Sequence, residues 1–243
     1  MDLSYLLDPE NWSASAPGGF PQLTLAHLGY TALAMLIGTA IALPVGLWIG
    51  HTGRGSFVAI NAGNAGRSLP TLGLLMLMVT LLGLGLAPVL IALTVLVVPP
   101  ILTSTYAGIR GVDPALVDAA TAMGMRPRQV LWQVEVPMAL PVMMGGLRSA
   151  TLQVVATATV AAAVGLSGLG RLLIDGLALN DYSRVLAGAL AVAVVAITLD
   201  LLLGLVQRLT VSPGLDGRAE ARGARRGTTD TEPELLGDRP TPA

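Results

Sequence analysis

The chain alternates long apolar runs with short polar breaks, and five runs reach the roughly 20 residues that a helix needs to cross a bilayer. They cover roughly Leu25 to Ile49, Phe57 to Leu82, Ala87 to Ile109, Pro141 to Gly165 and Arg184 to Val206. The pattern predicts an all-α integral membrane protein with about five transmembrane helices. Pro44 lies inside the first span, Pro70 interrupts the second, and Pro99-Pro100 fall near the middle of the third. Proline in a span is tolerated where neighbouring helices or water satisfy the freed carbonyls. Spans two and three are therefore expected to contact other helices.

One break is longer and more ordered in its signals. Asp113-Pro114 reads as an N-cap followed by Pro at the first helical position. Gly124 reads as the left-handed residue that closes that helix. Pro127 can open a second helix, which Pro137 is expected to end. A helix–Gly–helix knuckle is thus predicted at about 110–140, shaped as a docking surface. Around it the chain divides into an N-terminal segment (1–24), a transmembrane domain (25–208) and a tail (209–243). From Ser212 onward the tail is Gly-, Pro-, Arg- and acid-rich, which predicts disorder. The first 21 residues carry three acids and no Arg, unlike the basic start of a secretory signal. The first apolar run is therefore expected to be retained.

Charge orients these spans. Arg54, Arg67, Arg110, Arg126, Arg128, Arg148 and the tail arginines fall on one side, whereas only Arg171 and Arg184 fall on the other. Basic residues concentrate on the cytoplasmic side. The N-terminus is expected outside, with the knuckle and C-terminus in the cytoplasm.

Composition then excludes chemistry. The net charge of −1 carries no nucleic-acid footprint, and the absence of Cys removes disulfides and thiolates. All 14 basic residues are Arg. Without Lys there is no phosphate-binding Walker loop, so this chain is not expected to hydrolyse ATP. Gly165-Leu166-Ser167-Gly168-Leu169-Gly170 looks like a phosphate cradle but follows a span, and reads as a flexible turn. His27 and His51 lie at opposite ends of span one, too far apart to share a metal, and read as interfacial. No catalytic constellation and no cofactor is expected.

Polar groups within spans are the remaining candidates. Asp200 can pair with Arg148 or Arg67; alternatively Arg148 snorkels and Asp200 faces water. Arg67, Pro70 and Asp200 are candidate pathway or gate residues. So are Gln153 and Thr157, four apart on span four, with close helix packing as the alternative for that small-residue face. With 4% aromatics there is no cage for a quaternary ammonium. Selective capture of such a cation would fall to another subunit.

The knuckle resembles the EAA loop of permease subunits of bacterial ABC importers: Glu-Ala-Ala, three residues, Gly, nine residues, then Ile-x-Leu-Pro. Asp118 stands for the Glu, Ala119 and Ala120 match, Gly124 is in register, and Val134, Val136 and Pro137 fill the last places. Arg67 to Leu74, Leu102 to Ile109, Val112-Asp113-Pro114, Leu131 to Pro141 and Gly165 to Gly170 are similar to segments of the osmoprotectant branch. Arg67 and Ser104 depart from that branch's usual Gln and Asn. The resemblance covers about residues 25–208. It implies a type I ABC importer permease fold and a membrane subunit of an ATP-driven importer of glycine betaine, carnitine or choline. It further implies a bacterial cell membrane location and a second permease subunit. A separate ATPase would grip Asp118, Ala119, Ala120, Gly124 and Pro137, and an extracellular binding protein would deliver substrate. Leu116, Ala120 and Met123 would share one packing face. Gly124 would allow close backbone approach, and Asp118 would pair with Arg126 or Arg128. The alternatives are a permease for another small solute such as an amino acid, and a stand-alone secondary transporter or channel.

Overall fold

The computed structural model describes residues 4–14, 16–68 and 70–211, side chains at 63, 64, 66 and 67 excepted. The expected tail disorder falls on 212–243, outside the described residues. Among those described there is no strand. A helical turn α1 (Ser4–Leu7) and a 3-10 turn (Pro9–Trp12) precede α2 (Phe20–Thr52). Then come α3 (Ser56–Ser68), α4 (Thr71–Leu82), α5 (Leu86–Arg110), α6 (Pro114–Ala122) and α7 (Pro127–Val130). A π-helical turn (Leu131–Glu135) leads into α8 (Val136–Ala158). A 3-10 turn (Thr159–Val164), α9 (Gly170–Ala178) and α10 (Tyr182–Thr210) complete the chain.

Among the described residues four helical stretches are long and apolar enough to cross a membrane: Phe20–Thr52, Leu86–Arg110, Pro127–Val164 and Tyr182–Thr210. The second predicted span is not one helix. It divides into α3 and the 12-residue α4, with Pro70 as the extended N-cap of α4. Pro70 has no N–H to continue a ladder and biases the residue before it away from helical geometry. By contrast, α2 runs through Pro44 and α5 through Pro99 and Pro100. α5 is the central helix, packed along α2 on one side and α8 on the other.

The α2–α5 seam is close because α2 presents glycine. A Cβ at Gly46 would stand 2.7 Å from Thr105 Cβ, and one at Gly50 would stand 2.7 Å from Ile109 Cβ. Missing side chains at this spacing let two backbones approach, as in membrane helix pairs. The core along this seam includes Ala42, Val97, Ile101 and Leu102, with Val154 and Ala158 from α8. The most apolar window of α10 has no buried residue, so that helix lies on the outside of the bundle.

Polar contacts close the end of the bundle away from the knuckle. Asp175 of α9 lies 3.2 Å from Arg171 and 3.3 Å from Arg184 of α10. Beneath them Phe20 and Leu23 pack on Leu169, Leu172 and Ala187. The Gly165–Gly170 stretch is therefore not the flexible turn expected from its sequence. Gly168, Leu169 and Gly170 are buried, and a Cβ at Gly170 would collide with the backbone of Thr159. Its glycines serve close packing and the left-handed turn at Gly165 (φ 81°).

Candidate functional site: the polar knuckle

The knuckle forms as its cap signals dictate. Asp113 accepts a hydrogen bond from the Ala115 N–H at 3.0 Å, and Pro114 opens α6. At the far end Gly124 takes φ 84°. Its N–H reaches the Thr121 carbonyl at 2.9 Å, and the Met125 N–H reaches the Ala120 carbonyl at 3.2 Å. That pair of bonds is the Schellman closure, satisfying carbonyls that the helix end leaves free. The next turn opens with Pro127, and Gln129 Oε1 accepts from the Arg126 N–H at 2.8 Å.

Pro137 does not end the second helix, contrary to the sequence expectation. The chain passes from α7 through the π-helical turn directly into α8. The Val136 N–H reaches back five residues, to the Leu131 carbonyl. This wider register changes the bonding one residue before the proline, so its missing N–H falls at the start of a new α-helical segment. Pro137 itself is exposed.

The knuckle is bolted to the bundle on one face and bare on the other. Val112, Val117, Leu131, Val136 and Met138 pack with Leu43 and Leu47 of α2, Ile109 of α5 and Met143 of α8. Ala120 is only 2% exposed, whereas Met123 is 77%, Trp132 53% and Leu116 38% exposed. The expected common face of Leu116, Ala120 and Met123 is therefore divided, with Ala120 inward and Met123 outward. Asp118 and Ala119 are exposed. Asp118 makes no ion pair with Arg126 or Arg128 among the described residues. A Cβ at Gly124 would meet nothing within 4 Å among the described residues, so the space beside it is open there. Within the chain, its role is the turn.

Sequence reasoning placed both histidines at interfaces; the structure corrects this for His27 and gives His51 a partner at the helix end. His27 is fully buried, with Nε2 3.0 Å from the Val155 carbonyl. That carbonyl lies one turn before α8 tightens into the 3-10 turn, where regular helical acceptors lose their donors. His51, in the last turn of α2, has Nδ1 2.6 Å from Glu135 Oε2 in the π-helical turn. Glu135 is the one buried carboxylate among the described residues. It was missed because its neighbours in the motif read as simple aliphatic alternation.

The intramembrane candidates separate. Arg148 and Asp200 form a two-pronged pair, Nε to Oδ1 at 2.9 Å and NH2 to Oδ2 at 2.8 Å, with Gln207 Oε1 3.3 Å from NH1. They line a cleft of about 360 Å³ with Gly204, Leu205 and Arg208. Arg67 lies in α3, but its side chain is outside the described residues. Pro70 is exposed. Thr157 donates to the Gln153 carbonyl at 2.8 Å, and lines a small cavity with Thr71, Leu75 and Val89. Thr157 and Gln153 are half-buried, and among the described residues neither Pro70 nor this pair lines the cleft that holds Asp200.

The arrangement is a helical scaffold with an exposed knuckle, and the chain is similar to known proteins in sequence and fold. Residues 35–211 match the family model described as the binding-protein-dependent transport system inner membrane component. The choline transport system permease protein OpuBB of Bacillus subtilis is 34% identical over 192 residues, which cover 79% of this chain and 88% of that protein. The carnitine transport permease protein OpuCD of Listeria monocytogenes is 38% identical over 188 residues, covering 77% and 84%. The osmoprotectant import permease protein OsmY of Salmonella typhimurium is 36% identical, covering 73% and 76%. The inward-facing MetNI methionine ABC transporter superposes with a TM-score of 0.71 at 21% identity, covering 79% of this chain and 96% of that one. That likeness shows the fold, a type I ABC importer permease. The chain belongs to the family of inner membrane components of binding-protein-dependent transport systems.

Proposed function

We propose that this chain is the permease subunit of an ATP-driven importer for small zwitterionic or quaternary-ammonium osmoprotectants such as glycine betaine, carnitine and choline. The observation that carries the reading is the knuckle: a preformed helix–Gly–helix with a buried inner face, an exposed outer face and the motif spacing of a coupling loop. Relatives named for choline, carnitine and osmoprotectant transport, at 34–38% identity, support the substrate class.

In this reading the chain hydrolyses nothing. Asp118, Ala119, Ala120, Gly124 and Pro137 meet a separate ATPase. A second permease subunit completes the pathway, and an extracellular binding protein supplies substrate. Residues 25–208 form the permease body and the knuckle faces the cytoplasm, as the arginine distribution favours. Closure of the ATPase would rock the spans between inward- and outward-open states through the knuckle. The Arg148–Asp200 pair would hold α8 and α10 in register during that motion.

The test is uptake by proteoliposomes holding the permease with its ATPase and binding protein. Labelled glycine betaine, carnitine or choline should enter only with ATP inside and the binding protein present. Import of methionine or histidine instead would move the substrate to the amino-acid class. Uptake independent of ATP and binding protein would favour a stand-alone transporter.

A further inference from the structure

We infer that His51 and Glu135 form a strut that carries the knuckle's motion to α2, and that both are positioning residues for transport. The inference rests on the reading that the knuckle receives an ATPase. The two residues are 84 apart in sequence and meet at 2.6 Å. Glu135 is 8% exposed in its side chain and His51 23%, so the contact is largely screened from solvent. A hydrogen bond to a charged group in such a place is stronger and shorter than one in water.

Three features make this a mechanical link. Glu135 closes the π-helical turn, an insertion that interrupts the helix between the knuckle and α8 and often marks a functional position. His51 is in the last turn of α2, one residue before the helix ends at Thr52, with Gly53 at φ 70° just beyond. Around the pair, Val117 of α6, Leu131 at the start of the turn and Val136 just after it pack with Leu43 and Leu47 of α2. The apolar contacts can slide as the knuckle moves; a single directed hydrogen bond fixes its distance. Displacement of α6 is therefore passed to the end of α2, a helix that packs closely on α5 from Gly38 to Gly50.

Hydrogen exchange and transport on the reconstituted complex test this together. In the wild type, trapping the ATPase with a non-hydrolysable nucleotide should alter exchange in the knuckle (113–137) and at the α2 end (47–53). In His51→Ala the knuckle should still respond while the α2 end does not, and substrate carried per ATP should fall about tenfold. His51→Gln, whose amide can still donate to Glu135, should restore most of both. The double variant His51→Ala/Glu135→Ala separates a strut from the penalty of an orphaned buried acid. It should remain uncoupled, whereas full recovery would overturn the strut. An unchanged α2 response and unchanged stoichiometry in His51→Ala would also overturn it. A wild-type knuckle that ignores the ATPase would instead overturn the coupling reading beneath it.

Discussion

At the scale of single residues, Gly124 carries the sharpest expectation. Its φ of 84° is strained for most side chains but tolerated by Asn, and no atom among the described residues would touch a new Cβ. Gly124→Asn should leave thermal stability nearly unchanged. Gly124→Val should lose about 1–2 kcal/mol, read by thermal unfolding in detergent. Loss of transport in the stable Asn variant would then report a partner occupying that open space. Arg148 and Asp200 form a pair whose halves depend on each other. Arg148→Leu alone should lower the melting temperature by stranding Asp200, and Arg148→Leu/Asp200→Leu should recover most of it.

Elements were legible where short-range signals acted alone. The caps at Asp113 and Gly124 were readable because each rests on local hydrogen bonds over a few residues. Pro137 was misread because its effect depends on the π-helical turn before it, which no spacing rule reveals. His27 was misread because its partner is the Val155 carbonyl, 128 residues away. His27→Leu should cost about 1–3 kcal/mol by leaving that carbonyl unpaired, measured as a shift in thermal unfolding. The start of α10 gives a pH test. Ser183's hydroxyl, 2.7 Å from Asp181, and the Arg184 N–H hold that carboxyl below the usual carboxylate range. Its folded pKa lies below the unfolded value of about 3.9, so its contribution is complete above that pH. It is lost as pH falls further through the folded value. Asp181→Ala should abolish that part of the acid dependence of unfolding.

At the scale of the whole molecule, hydropathy gave the membrane class and most of the spans, because bilayer length leaves few alternatives. It did not show that the second span divides at Pro70, nor that α9 folds back under Phe20. Both depend on packing between distant segments. The knuckle's inner and outer faces could not be assigned from helical spacing, since Leu116, Ala120 and Met123 share a stripe yet differ in exposure. The arginine bias makes a separate prediction: a reporter fused after Arg128 should read cytoplasmic, and an external reading would invert the topology.

The central claim is that the exposed face of the knuckle transmits ATPase motion. Met123 is the residue to change, being 77% exposed and the C-cap of α6 at an ordinary φ of −73°. A charge there should leave the fold intact. Binding of the ATPase to proteoliposomes holding Met123→Glu, measured with ATP-driven uptake in the same vesicles, tests the claim most directly. Membrane insertion should be normal, ATPase binding weakened and uptake lowered about tenfold. Wild-type binding and wild-type uptake in Met123→Glu would contradict it.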